Sequence, residues 1–282
     1  MTAPIAQKSV TISGDITLRY QEAGEGKPLV MLHGWSQSAA EFKHQIAALA
    51  GSRRVIALDQ RGHGESDKPE TGYRIARLAA DLREVLIALD LHDVDLLGHS
   101  MGCSVSWCYL DLFGADRLSR LVLVDEAALV TGLPNWSETT REALGCFFSE
   151  PSALADFQSQ VRSTANVEAA ADLIAGMFTE AVTREDLLWV VAENIKMPRR
   201  HAADLLYHHC MIDWRDLIPT ICLPTLVIGG AASIFPAHTQ EWLAEQIPGA
   251  EYVIFGAEEG GSHFMFYENP EKFNAVVEGF LG

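Results

Sequence analysis

The chain has no long apolar run. Nearly half of its 282 residues are apolar, yet no stretch approaches the roughly 18 consecutive apolar residues of a membrane-spanning helix. The apolar content is dispersed over many short elements, as in a folded core. Basic residues are scarce: 21 Lys and Arg face 38 Asp and Glu, a formal charge of −17. That balance argues against nucleic acid or an anionic membrane surface as a partner. A solvated acidic surface accounts for it more simply than a cationic substrate does. Cysteine is sparse, scattered and odd in number: Cys103, Cys108, Cys146, Cys210 and Cys222. They read as reduced packing residues of a cytoplasmic protein, not as a disulfide framework. Met1 to Gln7 lacks the basic-then-apolar pattern of a secretory leader. No internal repeat or low-complexity segment is present.

What is present is an alternation of strand and helix patterns. Ser9–Ser13 and Ile16–Gln21 read as a hairpin turning at Gly14-Asp15. Pro28–Leu32, Arg54–Leu58, Val94–Leu97 and Leu121–Val124 are short apolar runs that predict buried strands. Ala39–Leu49 and Leu78–Leu89 carry helical spacing between them. Such alternation implies a mainly parallel sheet covered on both faces. From about Val130 to Asp216 the pattern changes to helices alone, with candidates at Thr139–Phe148, Val167–Phe178, Arg184–Met197 and Arg200–Ile212. Strand and helix then resume: strands Thr225–Ile228 and Glu251–Phe255, a helix Thr239–Ile247, and a last helix Pro270–Leu281 opened by Asn269-Pro270. The expected organisation is a core of residues 1–129 and 217–282 with residues 130–216 inserted as a helical cap.

The chemistry-bearing motif is Gly98-His99-Ser100-Met101-Gly102, between the Val94 strand and the helix from Cys103 onward. A strand that turns abruptly into a helix forces the central residue into a strained conformation, and bulky neighbours would clash in the turn. Ser100 is thereby presented at a sharp tip, with the free N–H groups of a helix N-terminus behind it. Serine is a weak nucleophile at neutral pH and needs a base within hydrogen-bond reach.

Taken with His33-Gly34-Trp35, Asp59-Gln60-Arg61-Gly62-His63-Gly64-Glu65-Ser66 and Gly260-Gly261-Ser262-His263, the chain resembles the α/β-hydrolase superfamily over nearly its whole length. The resemblance implies an α/β fold with an eight-stranded, mainly parallel sheet, helices on both faces and an inserted lid. It assigns Ser100 as nucleophile, His263 as base, and the N–H groups of Trp35 and Met101 as the oxyanion hole. It implies no cofactor. The family usually places its acid after the seventh strand, where this chain has Gly229-Gly230-Ala231-Ala232; the expected Asp is Ala232. Asp125 and Glu126 follow the sixth strand, where some relatives carry the acid instead, among them zearalenone lactone hydrolases and cofactor-free 3-hydroxy-4-quinolone dioxygenases. Asp125 is the better match along the strand, with Glu126 as the alternative.

Two readings follow. In the first, the protein hydrolyses an ester, lactone or related carbonyl of an apolar small molecule. In the second, the His–Asp pair deprotonates a hydroxylated N-heteroaromatic that itself reacts with dioxygen; against this, Asp59-Gln60 stands where that group has Asn-Trp. A non-enzymatic receptor is the third and weakest reading, given an intact Ser/His pair. His33, Trp35, Trp136, Trp189 and Tyr207 are the expected lining of the substrate pocket. His201, His208, His209 and Cys210 look at first like metal ligands, but no HExxH or CxxC spacing accompanies them, and no metal is expected.

Overall fold

The computed structural model describes residues 4–164 and 166–282; Met1–Ala3, the start of the leader reading and of the expected core, lie outside the described residues. Eight strands form one sheet: β1 (Ala6–Ile12), β2 (Ile16–Ala23), β3 (Pro28–Leu32), β4 (Arg54–Leu58), β5 (Val94–His99), β6 (Leu118–Val124), β7 (Thr225–Gly230) and β8 (Glu251–Phe255). Their spatial order is β1-β2-β4-β3-β5-β6-β7-β8. β2 runs antiparallel to β1 and β4, and the other neighbours are parallel. The hairpin turns at Gly14 and Asp15, both with positive φ, a conformation that glycine enters freely and aspartate more readily than most residues.

The apolar strand runs are buried on both sides because successive side chains alternate between faces. Val30 and Leu32 of β3 join one apolar cluster while Leu29 and Met31 join the other. Leu121 and Leu123 of β6 divide from Val122 and Val124 in the same way. Helices α2 (Ile75–Ala88), α3 (Met101–Phe113) and α9 (Ala237–Gln246) contribute to the first cluster. Helices α1 (Lys43–Leu49), α10 (Met265–Glu268) and α11 (Pro270–Leu281) contribute to the second. The Asn269 side chain caps α11 by accepting from the Lys272 N–H at 3.2 Å, with Pro270 in the first turn where a missing N–H costs nothing.

Between β6 and β7 lie α4 (Glu138–Ala143), α5 (Pro151–Ser163), α6 (Val167–Ile174), α7 (Arg184–Asn194) and α8 (Arg199–Cys210). Three expectations need correction here. The helix expected over Thr139–Phe148 stops at Ala143: Gly145 turns the chain with φ 66°, and Phe148 instead bonds to the Val130 carbonyl and the Gly132 N–H. Helix α5 was not among the expected helices. Only Leu154 and Val161 of it are fully buried, so its apolar stripe is faint; Pro151 at the helix start was the readable signal. The helix expected over Val167–Phe178 ends at Ile174 and tightens into a 3₁₀ turn, Ala175–Met177. The Ala39–Leu49 segment likewise opens as a 3₁₀ turn, Ala39–Phe42, before α1, capped by the Ser38 hydroxyl.

That 3₁₀ turn buries Glu41 with neither carboxylate oxygen hydrogen-bonded by its side-chain neighbours. Burial, reinforced by the nearby Glu193 carboxylate, pushes the Glu41 carboxyl well above the usual range. The folded state therefore binds a proton that the unfolded state releases near pH 4.5, and stability contributed by this group is lost as pH rises toward the folded value. Glu41→Gln is expected to raise stability relative to wild type at pH 8 by about 1 kcal/mol or more, with a smaller gain at pH 5. Urea midpoints at the two pH values measure this; a gain no larger at pH 8 than at pH 5 contradicts it.

Candidate active site

The C-terminal ends of β3, β5 and β6 meet at one place. Among the described residues, six non-glycine residues have positive φ. Asp15, Asp90 and Asp93 sit in exposed turns, where aspartate tolerates this conformation. The other three, Ser36, Ser100 and Asp125, are buried and follow β3, β5 and β6. Backbone strain of this kind persists only where surrounding structure holds it, and it collects at functional sites.

Ser100 has φ 52° and ψ −124° between β5 and α3. The glycines around it are steric necessities. A Cβ on Gly98 would press into the backbone of Gly102 and Cys103, and one on Gly102 would strike the Leu32 carbonyl of β3. The turn is pinned by the Ser100 N–H, which donates to the Val124 carbonyl at 2.8 Å.

His263 follows β8 on a loop packed tightly at its glycines: a Cβ on Gly261 would overlap the Phe255 carbonyl, and one on Gly230, at the end of β7, would overlap Gly261. Its Nδ1 lies 2.6 Å from Asp125 Oδ2, with both side chains almost fully buried. A carboxylate only accepts, so Nδ1 carries the proton and the lone pair is on Nε2. The His99 Nε2–H donates to the His263 carbonyl at 2.8 Å and holds the loop from beneath; burial keeps His99 well below the ordinary histidine range and hence neutral. The Ser233 hydroxyl donates to the same Asp125 Oδ2. Ala232, where the resemblance leads one to look for the acid, is exposed; its N–H donates to the Gly261 carbonyl at 2.8 Å. The β7 loop thus supplies a hydroxyl to Asp125 and no carboxylate of its own. Glu126 turns away, toward His209 of α8 at 3.2 Å.

The Trp35 loop is close-packed on the serine: a Cβ on Gly34 would come within 3.0 Å of Ser100 Cβ. The Gly34 N–H is taken by the Gln37 side chain at 3.0 Å. The Trp35 and Met101 N–H groups have no acceptor among the described residues. Met101 is the first residue of α3, where the N–H has no intrahelical partner and the helix dipole favours negative charge.

Ser100, His263 and Trp35 line one chamber, closed mainly by apolar side chains such as Phe147, Phe148, Phe157, Met177, Ile234 and Phe235. Four expected lining residues are elsewhere. His33 is buried beneath the loops, with Nδ1 donating to the Gly34 carbonyl and Nε2 accepting from the Gln60 N–H. Trp136 packs under the Arg215 guanidinium, Trp189 stacks on Tyr267 beside Lys43, and Tyr207 is exposed. Aromatic content within a helical segment does not say which face of each helix turns inward. Two residues that do line the chamber, His209 and Leu206, flank Tyr207 on α8 at helical spacing. Phe235 was readable only as the residue before Pro236.

The histidines of α8 have separate tasks. His201 stacks on Tyr73 with centroids 4.1 Å apart, and His208 Nδ1 accepts from the Ile75 N–H at 3.3 Å. Among the described residues no group of three or more His, Cys, Asp or Glu is placed to hold a metal ion, and no helix is long and apolar enough to cross a membrane.

Strand order, elbow and histidine loop together define a class, and the comparison with known proteins agrees. The chain belongs to the alpha/beta hydrolase fold family, whose model matches residues 27–270. It is 28% identical over 280 residues to the non-heme chloroperoxidase CPO-A1 of Kitasatospora aureofaciens, a match covering 96% of this chain and 98% of that protein. The esterase EaEST from Exiguobacterium antarcticum has a similar structure, with a TM-score of 0.86 at 25% identity, covering 98% of this chain and all of the esterase chain. Est816, an N-acyl homoserine lactone degrading enzyme, superposes with a TM-score of 0.77 at 28% identity over 97% of this chain and 100% of its own.

Proposed function

We propose that this protein is a serine hydrolase that cleaves an ester or lactone of an apolar small molecule through an acyl-enzyme. The observation that carries the reading is the 2.6 Å bond from His263 Nδ1 to Asp125 Oδ2, which leaves the Nε2 lone pair free in the chamber that Ser100 also lines. The esterase and lactone-degrading relatives support the same chemistry.

In this mechanism Ser100 Oγ attacks the carbonyl carbon while His263 Nε2 takes the hydroxyl proton. Asp125 orients the ring and stabilises the imidazolium. The carbonyl oxygen becomes an oxyanion facing the Trp35 and Met101 N–H groups, a type of contact that lowers the barrier by about 3 to 4 kcal/mol per donor. The imidazolium then protonates the leaving alkoxide oxygen as the carbon–oxygen bond breaks. Water, deprotonated by the same nitrogen, adds to the acyl carbon; collapse releases the carboxylic acid and returns the proton to Ser100. Residues 130–216 form the lid over this site, and residues 1–129 and 217–282 the catalytic core.

A fluorophosphonate probe followed by peptide mass analysis tests the reading. The expected result is a single adduct on Ser100, with a matching burst of p-nitrophenol from p-nitrophenyl acetate. Absence of both sinks it.

A further inference from the structure

Beside the Ser–His–Asp set the chamber holds a second histidine–carboxylate pair that the mechanism does not use. Glu126 follows Asp125 at the end of β6, and its side chain is fully buried. One oxygen, Oε1, accepts from the Ala127 N–H at 2.9 Å. The other, Oε2, makes no aligned hydrogen bond but stands 3.2 Å from Nε2 of His209, whose side chain is 5% exposed. The Glu126 backbone is itself fixed, its carbonyl accepting from Gln240 Nε2 at 3.0 Å. His209 lines the chamber with Ser100 and His263, and its Nδ1 is buried without a hydrogen-bond partner. The neighbouring Cys210 contributes no anion, because burial and then the Glu126 carboxylate push its thiol well above the ordinary range.

An imidazole nitrogen buried and left unpaired costs free energy. Such groups in a native fold call for an explanation, and a bound ligand is one. A carboxylate oxygen 3.2 Å from Nε2 favours the proton on that nitrogen, so Nδ1 carries the lone pair. What it lacks is a donor. The remaining chamber wall is largely aromatic and aliphatic, so a donor must come with the substrate.

We propose that His209, oriented by Glu126, is a specificity-determining residue that accepts a hydrogen bond from a hydroxyl or amide N–H on the substrate, at a position removed from the reacting carbonyl. The substrate class is thereby an ester or lactone carrying such a donor on an otherwise apolar frame. This rests on the ester-hydrolase reading above. Glu126 is a positioning residue: it touches the ring and not the substrate.

The test uses p-nitrophenyl esters of a straight-chain acid hydroxylated at successive acyl carbons, each paired with its unsubstituted parent. The readout is the ratio of kcat/KM between the members of each pair, which cancels any general loss of activity or folded fraction. For wild type, at least one hydroxylated ester is expected to exceed its parent by about tenfold, the scale of one hydrogen bond made to a buried acceptor. His209→Phe is expected to bring that ratio to about one, whereas Glu126→Gln, which keeps an oxygen facing Nε2, preserves it. Should His209→Phe fail to fold, Glu126→Leu, which releases the ring, is expected to lower the same ratio. Turnover of the parents with no preference in wild type overturns the His209 assignment, as does a preference that survives His209→Phe. Failure of wild type to hydrolyse any ester is a different result, and it overturns the hydrolase reading itself.

Discussion

Ser100→Ala will lose about 10⁴-fold or more in ester turnover. Its far-UV spectrum and melting temperature should stay near wild type. Alanine keeps the Cβ that packs on Gly34 and removes only the hydroxyl, so the strained turn and its bond to the Val124 carbonyl are undisturbed. What disappears is the atom to be acylated. The residual rate then comes from the Trp35 and Met101 donors and from binding. The same variant separates the two chemistries the site resembles. If the protein were a cofactor-free dioxygenase, His263 and Asp125 would act as the base and Ser100 would only hydrogen-bond the substrate. Ser100→Ala retaining most turnover while His263→Ala loses it, with oxygen consumed in the presence of a hydroxyquinolone, would sink the hydrolase reading.

Asp125→Asn carries the second large effect, a fall in kcat of about 10² to 10⁴ with a much smaller change in KM. The substitution is unusually clean here. Asp125 has φ 52°, and asparagine is among the few residues that enter that region at low cost. The Ser233 hydroxyl, which shares Oδ2 with His263, can rotate to accept from an amide NH₂ in that position. The asparagine amide can then turn its NH₂ toward His263 Nδ1, which forces the proton onto Nε2, where it blocks base catalysis. Stopped-flow measurement of the acylation step, with a thermal melt as folding control, checks this; near-wild-type acylation would remove Asp125 from the mechanism.

Much of this site could be read from the chain because it is built on local rules. A Gly-x-Ser-x-Gly run between an apolar strand and a helix is a steric statement about one turn, and the glycines at 98 and 102 meet the contacts that the turn implies. Strand runs such as Pro28–Leu32 and Arg54–Leu58 have the bounds that composition predicts, since burial on both faces writes itself as uninterrupted apolar sequence. The inserted helices were harder. Helix α5 has a weak apolar stripe, and α4 yields to a glycine turn and to bonds made with residues before it.

By itself, then, the sequence determined the family, the strained strand-to-helix turn at Ser100 and the absence of an acid at position 232. The choice between Asp125 and Glu126 belonged to the tertiary structure. Adjacent residues at a strand end point in different directions, and only the packed loops decide what each one meets: His263 and Ser233 for Asp125, His209 for Glu126. The chamber wall was decided the same way, because which side chains of a helix face a cavity depends on its rotation against the sheet. Trp136, Trp189 and Tyr207 turned elsewhere, and His209 turned in.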